Sequence, residues 1–149
     1  MKRKDLVKNR RAFHEYEILE KFEAGIVLVG TEVKSLRAHH ANLQDAYVSL
    51  KKEELWLVNA SISLYAHGNI HNHEEKRERK LLLHRKEIHK ISKAIQEKGY
   101  TIVALAFYLR KNHIKVEIAT ARGKKLYDKR VSLKEKEHKR AIERAMKEK

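Results

Sequence analysis

A long apolar run followed by strict alternation constrains the fold more than any other feature of this sequence. Residues 100–109 are almost entirely apolar and have the composition of a strand. After a polar turn, residues 113–119 alternate, with Ile114, Val116 and Ile118 on one side and polar side chains on the other. Alternation with period two is the pattern of a strand that has one buried face. The stretch therefore predicts two strands joined by a short turn.

Shorter strand and helix patterns precede this pair. They predict strands at 13–20, 25–29, 45–50 and 55–60, and the last two are joined at KKEE. They also predict a helix at 31–40 that is capped by Thr31 and a helix at 84–98 that is closed by Gly99. Residues 66–80 are predicted to form a loop. Residues 61–65 continue or end the sheet, and 81–83 are a short strand or the helix entry. About six strands without strict strand–helix alternation indicate a mainly β fold. We expect a partly closed antiparallel barrel, similar to oligonucleotide-binding barrels, with flanking helices.

The charge is concentrated at the two ends of the chain. The net charge is +15, of which residues 1–12 carry +5 and residues 121–149 carry +7. This distribution divides the chain into a basic N-terminal arm (1–12), a single barrel domain (13–130) and a basic C-terminal tail (131–149). A near-neutral body with cationic ends indicates a polyanionic partner, most commonly nucleic acid.

Several protein classes are excluded by composition. The chain has no cysteine, which excludes disulfides, thiolate zinc sites and cysteine nucleophiles and fits a reducing cytoplasm. No apolar run approaches the roughly 18 residues of a membrane span. The basic N-terminus lacks the apolar segment of a signal peptide. We therefore expect a cytoplasmic protein that has no membrane partner.

The stretch GNIHNHEEKRERKLLLH at 68–84 raises the question of a metal site. A His-x-His pair such as His71 and His73 can bind zinc, but it needs a third ligand, and only Glu74 is close in sequence. Three consecutive residues in an extended segment also point in different directions. We therefore expect no metal, no cofactor and no catalytic residue, with a metal-dependent ribonuclease as the rival hypothesis.

Two basic clusters are better candidates for function. The first comprises Arg77, Arg79 and Lys80; the second comprises Arg122, Lys124, Lys125, Lys129 and Arg130 around Gly123 and Tyr127. Such cations can neutralise RNA phosphates, and Tyr127 can stack on an unpaired base. The alternative is an ordinary solvated basic loop. Because aromatic residues make up only 7% of the chain, recognition would depend more on RNA shape and backbone than on base sequence.

Five segments together resemble the small protein B family of bacterial transfer-messenger-RNA-binding proteins. They are NRRAFHEYEI (9–18), FEAGIVLVGTEVKSLR (22–37), NIHNHEEKRERKLLLHRKEI (69–88), GYTIVALAFYLR (99–110) and ARGKKLYDKR (121–130). The resemblance implies a non-enzymatic adaptor that holds the tRNA-like domain of transfer-messenger RNA. It also implies delivery of this RNA to stalled ribosomes for trans-translation, with the protein standing in for the missing anticodon arm. A ribosomal-RNA-binding barrel protein is the alternative within the same functional class.

The resemblance also assigns residues. The RNA face would include Glu23, Leu82, His84 and the run Gly123-Lys124-Lys125. The tail is rich in helix formers but has few apolar residues, so we expect it to be mobile when free and helical when bound; the alternative is a frayed surface helix. On the ribosome, near the small-subunit decoding site and in the mRNA channel, its contacts would be Lys134, Lys136, His138, Lys139, Arg140, Arg144 and Lys147. Neither DNA nor a membrane is an expected partner.

Overall fold

The computed structural model describes residues 3–65 and 72–123. In chain order the elements are β1 (Lys4–Lys8), α1 (Arg10–Glu15), β2 (Tyr16–Ile26), α2 (Gly30–Arg37), β3 (Ala41–Asn42), β4 (Tyr47–Lys51), β5 (Glu54–Val58), β6 (Ser61–Ile62), β7 (Arg79–Leu82), α3 (Arg85–Gln96), β8 (Thr101–Arg110) and β9 (His113–Gly123). The predictions for residues 66–71 and 124–149 lie outside the described residues.

Six strands form a ring in the order β8-β4-β5-β7-β2-β9, and β9 returns to pair with β8. All the pairings are antiparallel. The strand pairing is shortest between β4 and β8, which share the single residue pair Tyr47 and Val103. The short strands β3 and β6 form a separate two-stranded sheet. The expected mainly β, partly closed barrel is therefore confirmed.

The apolar run and the alternating run form the predicted hairpin of β8 and β9, paired from Arg110 and His113 to Thr101 and Ala121. Strand β8 is apolar on both faces because it is buried on both. Its inner face contributes Ile102 and Phe107 to the barrel core. The opposite face contributes Val103 and Leu105 to a second apolar cluster with Ala12 of α1. A strand covered on both sides has no need of polar alternation.

The predicted hairpin at KKEE is also confirmed, as β4 and β5. Its turn residues, Lys52 and Glu53, have φ values of 49° and 62°. A two-residue hairpin turn of type I′ requires positive φ at both positions, which glycine or asparagine usually supplies. The paired strands impose this conformation on two residues that do not favour it.

The prediction of an N-terminal arm is wrong for the part of the segment that the structure describes. Residues Lys4–Lys8 form β1, which pairs with β8 from Leu109 to Ala106. Strand β4 pairs with β8 only near its beginning, at Val103. The second half of the same edge of β8 is therefore available to β1. Asn9 is buried and its side-chain amide donates to the carbonyls of Leu43 and Ala104, both at 2.9 Å. The barrel domain therefore begins before residue 13.

Two strand predictions near the N-terminus need correction. The alternating segment 13–20 begins inside α1, which Asn9 caps by accepting a 3.3 Å hydrogen bond from the Ala12 N–H. The second predicted strand, 25–29, contributes only its first two residues to β2. Thr31 lies inside α2 rather than capping it. Instead the Glu32 carboxylate accepts from the N–H of Val29, the residue that precedes the helix, at 2.9 Å.

The predicted amphipathic helix is confirmed as α3. Its apolar face buries Ile91 and Ala94, and Gly99 adopts φ +66°, the left-handed conformation expected after a helix C-terminus. His84 stands at its N-cap, where its backbone N–H donates to Glu87 at 3.1 Å. The helix follows β7 after only two residues, so the predicted contact His84 is placed close to Leu82.

Candidate nucleic-acid interface

Glu23 and Leu82, which are 59 residues apart in sequence, lie on the same outer face of the barrel. Strand β2 turns Phe22 and Ala24 into the core, so Glu23 and Gly25 face outward. Gly25 pairs directly with Leu82 of β7, and paired residues share a face. The pairing thus brings together two of the residues that the family resemblance assigned to RNA.

The carboxylate of Glu23 is held in a network of charged and aromatic side chains. Arg110 donates to it from the end of β8. Tyr108 is buried, which raises the pKa of its phenol, and the neighbouring Glu23 carboxylate raises it further. Arg3 lies over the Tyr108 ring at 4.3 Å and pairs with Glu117 at 2.5 Å. Glu23 is about one-third exposed, so a partner can reach a carboxylate whose position is already fixed.

Sequence reasoning missed the residues that surround Glu23. Arg3 and Arg110 come from opposite ends of the described chain, and Tyr108 lies within an apolar run that predicts only core packing. Their shared location depends on the β1–β8 and β8–β9 pairings. No local pattern could have linked them to Glu23.

Leu82 is the apolar part of this face. Its side chain is 52% exposed, so it presents apolar surface to the solvent. A Cβ atom at Gly25 would approach the Cβ of Leu82 to 3.2 Å. Leu82 also lines two neighbouring concavities. One lies between α3 and the β4–β5 turn; the other lies between the end of β2 and the β8–β9 turn. It therefore forms a ridge between them.

The prediction that Arg79 contacts RNA is wrong. Its side chain is fully buried, with Nε 2.5 Å from Glu32 Oε2 and Nη1 donating to the Ala60 carbonyl at 2.7 Å. Its Nη2 also donates to the Glu75 carbonyl at 3.0 Å. These bonds attach the loop before β7 to α2 and to the end of β5. All three guanidinium nitrogens bond to protein acceptors, and a fully buried side chain cannot reach a phosphate on the surface.

Arg77 shares the same carboxylate. Its Nη2 lies 2.6 Å from Glu32 Oε1, and the side chain remains one-third exposed. Burial alone would raise the pKa of Glu32, but hydrogen bonds from Arg77, from the Val29 N–H and from Arg79 outweigh it and lower the pKa. Glu32 is therefore a buried anion that organises two of the three cations in the first predicted cluster.

His73 is not arranged as a metal ligand. Its ring is buried, with Nε2 2.8 Å from the Ile62 carbonyl and Nδ1 2.8 Å from Thr31 Oγ1. Because a carbonyl can only accept, Nε2 must donate, and Nδ1 is occupied by the hydroxyl. Within residues 3–65 and 72–123, no group of three or more His, Asp or Glu is placed to hold a metal ion. His71 lies outside this range.

The remaining predicted contacts are dispersed. Lys80 lies beside the ridge and pairs with Glu54 at 3.2 Å, while His84 is exposed at the start of α3. Arg122 pairs with Glu17 at 2.7 Å, and Gly123 pairs with Tyr16 at the end of β9. The structure does not describe Lys124, Lys125, Tyr127, Lys129 and Arg130, nor the predicted tail contacts from Lys134 to Lys147.

Over the described ranges, no helix combines the length and apolar character that crossing a bilayer requires.

Comparison with known proteins identifies the family. An "SsrA-binding protein" of Protochlamydia amoebophila is 59% identical over 147 residues, covering 99% of this chain and 96% of the relative. An "SsrA-binding protein" of Chlamydia trachomatis is 56% identical over 144 residues, covering 97% and 95%. A chain in the solved structure "tmRNA-SmpB: a journey to the center of the bacterial ribosome" is 44% identical, with a TM-score of 0.67 over 78% of this chain and 82% of that one. The SmpB protein family matches residues 6–148, and the chain belongs to that family.

Proposed function

We propose that this protein is a non-enzymatic adaptor that binds the tRNA-like domain of transfer-messenger RNA and delivers it to stalled ribosomes for trans-translation. Relatives named for SsrA binding match nearly the whole chain, and a similar chain occurs in a structure described by tmRNA, SmpB and the bacterial ribosome. The observation that carries the proposal is this full-length relationship. This function places the protein in the cytoplasm, where ribosomes translate.

The outer face of β2 and β7 supports RNA recognition by complementary chemistry. The oriented carboxylate of Glu23 can accept hydrogen bonds from base amino groups or ribose 2′-hydroxyls. Beside it, the exposed side chain of Leu82 offers apolar contact to a base or sugar that has left a regular helix. A carboxylate and a leucine attract no phosphate, so these two residues supply selectivity. Affinity then depends on the surrounding cations.

We assign RNA binding and action on the ribosome to different parts of the chain. The barrel and the run through Arg130, including Lys124 and Lys125, would hold the RNA. The segment from 131 to 149 would act on the ribosome, where its seven Lys/Arg side chains from Lys134 onward would meet phosphates in the mRNA channel. The high charge and sparse apolar residues of this segment support a role in binding a polyanion rather than in barrel packing.

The direct test is to purify the protein from its own cells and to sequence the RNA that accompanies it. Transfer-messenger RNA should dominate. Recovery of only ribosomal RNA would favour the alternative of a ribosomal barrel protein.

A second experiment tests for catalysis. Incubation of the pure protein with transfer-messenger RNA and divalent metal should leave the RNA intact, and metal-dependent cleavage would contradict the adaptor role.

Binding to the isolated tRNA-like domain should also depend on salt. Log affinity should fall linearly with log salt concentration, by about 0.7–0.9 for each phosphate neutralised. Fluorescence anisotropy at several salt concentrations measures this slope. An affinity independent of salt would contradict a binding mode with a large phosphate contribution.

A further inference from the structure

A cleft between α3 and the β4–β5 turn combines an apolar floor with a cationic rim. Leu81, Leu83 and Ile88 contribute to the floor, while Lys52, Arg85 and Lys86 stand on the rim. The cleft is assembled from three separate elements: the turn presents Lys52, the start of α3 presents Arg85 and Lys86, and β7 forms part of the base. None of these three cations belongs to the two basic clusters that stand out in the sequence.

The rim cations are distinguished by their lack of acidic partners. Lys52, Arg85 and Lys86 form no salt bridge with any carboxylate in the described ranges, 3–65 and 72–123. By contrast, Lys90 on the same helix pairs with Glu20 at 2.6 Å, and Lys80 at the cleft edge engages Glu54 at 3.2 Å. The rim thus carries three positive charges that form no salt bridge, together with one carboxylate, that of Glu53. This favours an anionic occupant.

The cleft is continuous with the face that carries Glu23. Leu82 lines the cleft on one side and, through its contact with Gly25, borders the β2 face on the other. A ligand that extends from the β2 face across Leu82 therefore enters the cleft that Lys52 and Lys86 line. This geometry favours, as the occupant, the same RNA that is proposed to contact Glu23.

We propose that the RNA bound at Glu23 and Leu82 continues into this cleft, where Lys52, Arg85 and Lys86 bind its backbone phosphates. The apolar floor formed by Leu81, Leu83 and Ile88 accepts a ribose or an unpaired base. The inference rests on the proposed function and extends it by a second contact region on the barrel. Unstacked nucleotides suit such a site because they expose both a charged backbone and an apolar base surface.

The first test compares charge reversals in the cleft with a control charge reversal elsewhere on α3. Lys86→Glu should weaken binding to the tRNA-like domain and lower the log–log salt slope by about 1, as expected for one lost phosphate contact. The double variant Lys52→Glu with Lys86→Glu should lower it by about 2. Glutamate is tolerated at the left-handed position of Lys52, since Glu53 already adopts this conformation.

Lys93→Glu is the matched control, because Lys93 is an exposed lysine of α3 that does not line the cleft. It should leave the salt slope unchanged. If Lys86→Glu and the double variant lose no more affinity or slope than Lys93→Glu, the cleft proposal is wrong. Circular dichroism confirms that each variant is folded.

The second test maps the RNA directly. Because the chain has no cysteine, Ser92→Cys provides a single attachment point on the cleft wall for a tethered iron chelate that generates hydroxyl radicals. Discrete cleavage of the bound tRNA-like domain is expected. Ser63→Cys, a position outside the cleft that is half-buried like Ser92, should give a different pattern or none. Absence of cleavage from position 92, or identical cleavage from both, would overturn the proposal.

Failure of this inference and failure of the proposed function give different results. If wild-type protein does not bind the tRNA-like domain, the proposed function itself is wrong. If wild-type protein binds, Glu23→Ala weakens binding and the cleft variants behave like Lys93→Glu, then only the cleft assignment is wrong.

Discussion

In the proposed function, Glu23 would serve recognition without attracting the RNA. Its negative charge opposes phosphate, but Arg110 partly neutralises it and fixes its orientation. A carboxylate that is already oriented loses little conformational freedom on binding, so its hydrogen bonds can distinguish between RNAs. The proposed function therefore assigns RNA selectivity and electrostatic attraction to different residues.

Glu23→Ala should therefore weaken binding to the tRNA-like domain more than binding to a generic RNA duplex. The double variant Lys124→Glu with Lys125→Glu should weaken both strongly, since two attractions become repulsions. Anisotropy titrations with the two RNAs measure the difference, and circular dichroism verifies the folds. Equal losses of Glu23→Ala on both RNAs would remove Glu23 from the recognition set.

Glu32 has the opposite role, because its charge is buried and serves the fold. Removing one partner of a buried ion pair leaves an uncompensated charge, which costs about 3–5 kcal/mol. Glu32→Gln should lower the free energy of unfolding by an amount of this order near pH 7, measured by urea denaturation. Glu78→Gln is the control, since the Glu78–Lys51 pair is half-exposed and such pairs contribute about 0–1 kcal/mol.

The contribution of Glu32 to stability should depend on pH, because the pKa of Glu32 is lowered in the folded protein. A carboxylate whose pKa is lower in the folded state stabilises the fold above its unfolded pKa of about 4.3. This contribution is lost as pH falls through the folded pKa. The difference in unfolding free energy between wild type and Glu32→Gln should therefore shrink at acidic pH. A difference that is constant with pH would show that the Glu32 charge is not responsible.

At the scale of elements, the contact between β2 and β7 sets the geometry of the proposed RNA face. Gly25 allows the two strands to approach, and a methyl group there would lie 3.2 Å from Leu82 Cβ. Gly25→Ala should displace Leu82 by a few tenths of an ångström and lower RNA affinity several-fold, with little loss of stability.

Gly30→Ala is the matched control for this substitution. A Cβ at Gly30 meets nothing within 4 Å, and the residue begins α2. Gly30→Ala should leave RNA binding unchanged and stabilise the protein by about 0.4–1 kcal/mol. Thermal unfolding and anisotropy on both variants separate the effects. Equal RNA affinities for the two variants would mean that the position of Leu82 is not critical.

The elements that sequence analysis assigned incorrectly, β1 and α1, depend on distant parts of the chain. The charged segment KDLVK has only two apolar residues, and its role as a strand comes from the open edge of β8. Helix α1 has six residues, too short to be stable alone. Asn9 holds its start by bonds to Leu43 and Ala104, which no local pattern reveals.

At the scale of the whole molecule, the proposal separates RNA binding from action on the ribosome. Ending the chain at Arg130 should leave affinity for the tRNA-like domain within a few-fold but abolish peptide tagging in a reconstituted stalled-ribosome reaction. Tagging at the full rate would contradict the proposed role of the tail. Loss of RNA binding would instead place the tail in the RNA site.

A proline substitution in the full-length chain provides a complementary test. Ala141→Pro should reduce tagging less than truncation does, because proline inside a helix costs about 3 kcal/mol while the tail charges remain. RNA affinity should not change. A tail whose tagging activity is insensitive to proline would act through charge alone, without a helix.

The sequence by itself determined the mainly β class, the β8–β9 and β4–β5 hairpins and helix α3. Each depends on periodic burial over neighbouring residues, which is visible locally. The family resemblance likewise proposed Glu23 and Leu82 as RNA contacts, and this assignment stays a prediction. Only the tertiary structure decided that Arg79 is buried against Glu32 and that Arg110 and Tyr108 surround Glu23. It also placed Lys52 and Lys86 on the same cleft. Whether a cation is buried, paired or available depends on which strands pair across the barrel, and that choice is made by contacts between residues far apart in the chain.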